Sequence, residues 1–233
     1  MRITQRSRHA LAAGVGLAAL LAANAATAQQ DFSGYWEPLI HEDARYRGGE
    51  GAHKGDYSGI PLNAEGRRVA DAWDPDEYYL PELQCAPHGA AYIMRGPVRF
   101  HLDYEDDDTL LMRMELQEQE RRFHFDGREW PGGDLQWQGH STARWEGETL
   151  TVVTTHMRPR YLRRNGVPHS ENAVMTEHYV RHGDYLTVIA IVEDPQYLTA
   201  PFVRSSTFVR TDPFEFIPYP CEPIIWPNGV PGV

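Results

Sequence analysis

Eleven histidines stand in this chain of 233 residues. A neutral imidazole titrates near physiological pH, so histidine is the side chain best suited to trade protons or hold a metal. Three groups have types and positions that fit proton transfer. His140 opens the run from Gly139 to Met157, and His156 nearly closes it. Glu177 falls on a strand pattern with Met175, Tyr179, Tyr185 and Ile189 for neighbours. A carboxylate on so apolar a wall is either paired, with an arginine for instance, or holds its proton above the usual range. A His/Glu pair could serve a lyase, isomerase or hydrolase that needs no cofactor. His140, His156 and Glu177 are therefore the candidate catalytic residues, and no cofactor is expected.

Other chemistries fit less well. There is no HExxH, and His178 and His182, four apart, flank a turn instead of sharing a helical face, so no metal site is expected. Serine follows histidine in GHS at Gly139 and in PHS at Pro168, but neighbours on a strand point to opposite faces, so His140 is poorly placed to activate Ser141. GxSxG and Gly-rich phosphate loops are absent. For binding, the irregular stretch Leu80 to Pro97 supplies His88 and Arg95 beside Cys85. Trp145, Tyr179 and Phe202 could line a small apolar ligand, with Arg95 or Glu177 anchoring a polar end and Arg144 nearby.

These residues must be positioned by strands. From Val98 onward apolar residues recur every second position: Val98, Phe100, Leu102, Tyr104, then Met112, Met114, Leu116, then Phe123 and Phe125. The run Ser141 to His156 predicts a hairpin, with a three-residue loop and Gly147 in the left-handed position. That register sets Arg144 opposite Glu148 and His140 opposite Val152, with His140, Thr142, Arg144, Thr154 and His156 on one face. A second hairpin, Val174 to Val192, turns at Arg181-His182-Gly183-Asp184; a three-residue loop there sets Glu177 opposite Thr187. Asp31 to Trp36 predicts a first strand and Val203 to Arg210 a last one. One short helix is expected over Pro61 to Asp74, capped by Asn63 and stopped by Pro75. The fold class is all-β: an antiparallel meander closed into a lipocalin-like (calycin-like) barrel, its apolar faces turned to one interior.

The first 28 residues read as a secretory signal: Arg2, Arg6 and Arg8, the apolar run Ala10 to Ala23, then Ala26-Thr27-Ala28 for cleavage after Ala28. Residues 29–233 would form a single barrel domain: loops and helix to 97, strands over 98–210, and a Pro-rich tail over 211–233. The formal net charge of −11 disfavours nucleic acid as a partner. No membrane span is expected in the mature chain, and the oligomeric state is open. In an oxidising compartment the two cysteines, Cys85 and Cys221, most simply form one disulfide. The rival is a reactive or metal-binding cysteine, against which neither has a CxxC partner.

Taken together, several stretches resemble a family of exported bacterial single-domain β proteins with a GHSxxRWEGxTLxVxT motif. They are DFSGYW at Asp31, PLNAEGR at Pro61, Cys85-Ala86-Pro87 through Met94, ERRFHFDGR at Glu120, GHSTARWEGETLTVVTT at Gly139, NGVPHSE at Asn165, TEHYVR at Thr176, VEDPQYLTAPF at Val192 and PCE at Pro220. The chain departs at His178, where the family shows Arg after Glu177. The resemblance implies an exported β protein and supplies no reaction. Three functions remain open: a periplasmic or secreted barrel binding a small, largely apolar or amphipathic molecule; an enzyme on that scaffold; and a cell-envelope interaction module with a filled core.

Overall fold

The computed structural model describes residues 30–41 and 53–226. The expected signal segment lies outside them. Nine strands close into a barrel: β1 (Gly34–Pro38), β2 (Phe100–Asp106), β3 (Thr109–Met114), β4 (Gln119–His124), β5 (His140–Glu146), β6 (Thr149–Thr155), β9 (Val174–His182), β10 (Tyr185–Glu193) and β11 (Phe202–Thr211). The ring runs β1-β11-β10-β9-β6-β5-β4-β3-β2, so first and last strands meet. It is the closed, mainly up-and-down barrel that the period-two pattern predicts. Between β6 and β9 the chain leaves the ring to form a small hairpin, β7 (Arg160–Arg163) with β8 (Val167–His169), that the sequence reading did not anticipate. Helix α1 (Ala64–Ala72) packs on β8, and Asn63 caps it by accepting from the Gly66 amide at 2.8 Å. Two one-turn helices follow, α2 (Pro81–Gln84) and α3 (Ala90–Ile93).

The meander is broken once. β4 and β5 run parallel and share only two register pairs, Phe123 with Ser141 and His124 with Thr142. The cause is the long link of residues 125–139, which crosses back along the barrel and pairs with the segment after β6 through Gln136 and Met157. Parallel neighbours need such a crossover, while a tight hairpin can only reverse the chain. The ring is therefore closed, with one thinly bonded seam.

Both hairpin registers differ from expectation. Each turns on two residues with glycine first: Gly147-Glu148 at φ 64° and Gly183-Asp184 at φ 59° for the glycines. A two-residue turn with glycine first matches the strand twist without forcing a side chain to positive φ. Consequently His140 faces Thr155, Arg144 faces Thr151, and Glu177 faces Ala190. Thr154 leaves the face of His140, Thr142 and Arg144 for the inner one, opposite Ser141, and Tyr185 and Ile189 turn outward.

Inner side chains fall into three levels. Above lies an apolar core including Trp36, Phe100, Leu102, Phe123, Val152, Tyr179 and Phe208, all fully buried. Below lies a second core in which Met175, Val192 and Phe202 meet α1, α3 and the β7–β8 hairpin through Ala70, Ala90 and Val167. Between them, facing inward on β4, β5, β6, β9 and β11, stand the buried Arg121, Ser141, Thr154, Glu177 and Ser206. The expectation of one shared apolar interior is thus corrected to two cores divided by a polar layer. In that layer Arg121 and Glu177 form a forked ion pair, Nη2 to Oε2 at 2.5 Å and Nη1 to Oε1 at 3.2 Å, with neither side chain more than 1% exposed. Arg121 Nη2 also donates to Thr154 Oγ1 at 3.1 Å, and Thr154 bonds Ser141 at 2.8 Å.

Cys85 and Cys221 are joined across 136 residues, pinning the tail to the segment after α2. Gln84 holds Ile224 by two hydrogen bonds, and Glu115 and Glu118 accept from the Ile217 and Tyr219 amides.

Glu177→Gln leaves Arg121 with a buried charge that nothing cancels, and is expected to lose about 3–5 kcal/mol in urea denaturation. Arg121→Met combined with Glu177→Leu should recover most of that loss; a single variant within about 1 kcal/mol of wild type would contradict this account of the layer. Replacing Cys85 and Cys221 by serine is expected to cost about 2–5 kcal/mol, since the open chain regains the freedom of a long loop.

Candidate functional site

The seam opens outward into a cavity of about 530 Å³. One wall is β4 with Gln119, Arg122 and His124; the other is the end of the crossing link, Trp130, Pro131, Gln136, Trp137 and Gln138, leading into His140. Gly139 makes the bend possible. Its φ is 64°, and a Cβ there would lie 2.5 Å from the Thr155 carbonyl oxygen. His156, at φ 54°, carries the chain sharply out of β6 and lays its ring over Trp130 at 5.2 Å. His140 meets Trp130 from another side at 5.7 Å, and His124 stacks on His140 at 5.4 Å. The result is one run of rings, His124–His140–Trp130–His156. Arg158 and Arg160 lie over Trp137 at 4.8 and 5.5 Å.

The floor of the cavity is polar. Arg121 and Ser141, members of the inner layer, both reach it. Gln138, 7% exposed, donates from Nε2 to the His88 carbonyl at 2.8 Å, and Gln119 Oε1 lies 3.4 Å away. One buried acceptor among these residues, Gln138 Oε1, finds no hydrogen-bond partner among the described residues. Burial works against the charge of Arg121, but Glu177 outweighs it and the guanidinium stays firmly protonated. The Tyr179 hydroxyl lies beside the pair; burial, then the Glu177 carboxylate, raises its pKa well above the usual phenol.

The structure brings His140 and His156 together around Trp130, by turn geometry and not by a shared strand face. Glu177 is not with them. It lies inside the barrel wall, engaged with Arg121, while the histidines lie outside it. His140 Nε2 must donate to the Arg128 carbonyl, which can only accept, at 2.9 Å. The three do not form an acid–base set. Among the described residues no group of three or more His, Cys, Asp or Glu side chains is placed to hold a metal ion.

The binding candidates scatter. Arg144 is exposed and pairs with Glu146 at 2.8 Å. Trp145 stacks on Phe32 at 5.3 Å at the far end of the barrel. Tyr179 is packed in the upper core against Phe123, and Phe202 in the lower. Arg95, 6% exposed, donates to the Ser205 carbonyl at 2.8 Å and shares a cavity of about 350 Å³ with Tyr92, Arg163 and Arg204. Burial, then the neighbouring Arg95, pulls Arg204 down to about 9. His88 sits behind the seam. Its amide donates to Gln117 Oε1 at 2.6 Å and its Nδ1 meets the Tyr161 hydroxyl. Burial, with Arg164 and Arg160 near, pushes its pKa down to about 4.

Sequence reasoning missed Arg121, Gln138 and Trp130. For Arg121 the signal was present: it stands two residues before Phe123, so it shares the inward parity and is a natural partner for an inward Glu177. Gln138 and Trp130 lie in a link with no periodicity to read.

A buried neutral histidine gives a pH signature with a definite sign. The folded pKa of His88 lies below the unfolded value near 6.5, so the unfolded chain binds the proton first. Its stabilising contribution is whole above about pH 6.5, is lost as pH falls toward 4, and is flat below. The loss should be on the order of 3 kcal/mol. His169, lowered by burial, adds in the same direction. Stability measured in urea between pH 7 and 4 should fall less steeply in His88→Gln; parallel curves for the two proteins would remove His88 as the cause.

No protein-family model and no curated protein matches this chain. Two solved structures of variants of the fluorescent protein UnaG align with it. They share 13% and 14% identity, cover 78% and 77% of this chain and 97% and 95% of theirs, and give TM-scores of 0.36 and 0.35.

Proposed function

We propose that this is an exported, periplasmic barrel that binds a small amphipathic molecule at the β4–β5 seam. The observation that carries the reading is the seam cavity itself. A space of about 530 Å³ with two tryptophans and two histidines on its walls, over buried polar atoms, has the size and lining of a small-molecule site. The site is on the flank. The lumen is filled by the upper core, so the ligand is not held in the barrel's middle. Export is supported by the basic, apolar and small-residue order of the first 28 residues and by the disulfide. No described helix is long and apolar enough to cross a membrane. The resemblance to the exported family with the GHSxxRWEGxTLxVxT motif fits the same address.

A second reading, an envelope interaction module, is favoured by one observation. Ile217, Ile224 and Ile225 on the pinned tail are 68%, 58% and 66% exposed.

Native mass spectrometry of the protein from its own periplasm separates these readings. A chain beginning at Gln29 with one organic mass, lost in Trp130→Leu, is the expected result. The bare polypeptide alone, in wild type as in the variant, would defeat the binding reading, and a protein-sized adduct would favour the second.

A further inference from the structure

We infer that the cavity between β7, β11 and α3 is a second binding site, which takes the doubly charged phosphate group of a small molecule on Arg95, Arg163 and Arg204. Its lining shares no residue with that of the seam cavity, so it stands whether or not the seam binds anything.

The charge of the lining points there. The whole chain carries −11, yet the described residues around this cavity of about 350 Å³ include three arginines and no aspartate or glutamate. The acid that acts on Arg204, Glu177, is already engaged with Arg121. Burial, then Arg95 and Arg163 by like charge, lower the pKa of Arg204 to about 9 against the pull of Glu177. An anion between the arginines turns that repulsion into attraction. One carboxylate matches one guanidinium, whereas several converging guanidinium groups match an anion with more than one charge and three oxygens to share.

The three side chains are also held in place by the backbone. Arg95 Nη1 donates to the Ser205 carbonyl at 2.8 Å. Arg204 donates from Nη1 to the Leu162 carbonyl at 3.1 Å and from Nη2 to the Ala91 carbonyl. Arg163 reaches the Ser58 carbonyl at 3.3 Å. Arg204 gives two of its five N–H donors to these carbonyls, and the others are there to meet phosphate oxygens. Anchors from separate stretches of chain fix the directions of the forks, and a site set in advance loses less entropy when it is filled. Beside the charges, the buried Tyr92, Leu162 and Phe202 give an apolar side on which the body carrying the phosphate can rest.

Calorimetric titration with inorganic phosphate, phenyl phosphate and benzoate at pH 7, in about 0.15 M NaCl to screen loose surface pairing, tests the inference. Phenyl phosphate is mostly doubly charged there, while benzoate offers the same ring with one charge. Phenyl phosphate should bind about tenfold or more tighter than benzoate. Inorganic phosphate binding as tightly as phenyl phosphate would mark the free anion as the occupant; weaker binding would mark a monoester. Arg204→Gln should weaken both phosphates about tenfold or more. Arg68→Gln, which removes an exposed charge on α1 outside the cavity, should leave them within about twofold. If Arg204→Gln does not fold, the Nε–H resonance of Arg204 in the wild type decides: it should shift with phenyl phosphate and stay still with benzoate. Benzoate binding as tight as that of phenyl phosphate, equal losses in the two variants, or an unmoved Arg204 resonance overturns the inference. So does the absence of binding by either phosphate at about 10 mM.

Discussion

The Arg121–Glu177 pair is the constraint around which this barrel is arranged. Two charges taken wholly out of water are tolerable only when each nearly exhausts the other's hydrogen bonding. The forked contact achieves this for both Glu177 oxygens and both terminal guanidinium nitrogens, with Thr154 and Ser141 continuing the network. The pair also fixes registers. A one-residue slip of β9 would turn Glu177 to the outside and bring His178 or Thr176 into the core. Because Arg121 comes from β4 and Glu177 from β9, the pair ties together strands that share no backbone hydrogen bonds in the ring.

The layer also explains why the molecule has two cores. Inner faces above it build an ordinary packed barrel. Those below belong to a second cluster closed off by α3, whose Ala90 and Ala91 are small enough to let the helix sit close against the strand ends. Ile93 and Met94 point the other way, into the upper core, so a single turn of helix serves both. With the middle of the barrel packed, the seam cavity opens on the flank, where the strand bonding is thinnest.

Much of this was legible in the residue order. Period-two alternation after Val98 announces the strands, Asn63 the cap of α1, and the pair Cys85 and Cys221 the bridge. The apolar neighbours of Glu177 announce a buried carboxylate. What was not legible has physical causes. Turn length depends on which residue takes positive φ, and in both hairpins a glycine in first place allowed a two-residue turn where three were expected. That single difference moves Thr154 indoors. The parallel seam follows from where residues 125–139 run, and nothing in their local pattern encodes a direction. Gln138 and Trp130 matter through tertiary placement alone, which no spacing rule reports.

Closure of the ring between β1 and β11 has a consequence for the order of assembly. The last rung cannot form until residue 211 is available, and the bridge must wait ten residues longer, for Cys221. Until then β1 presents a bare edge and Cys85 a reduced thiol. A chain emerging from its N-terminal end therefore cannot close the ring, although hairpins such as β2–β3 and β5–β6 need no later residue.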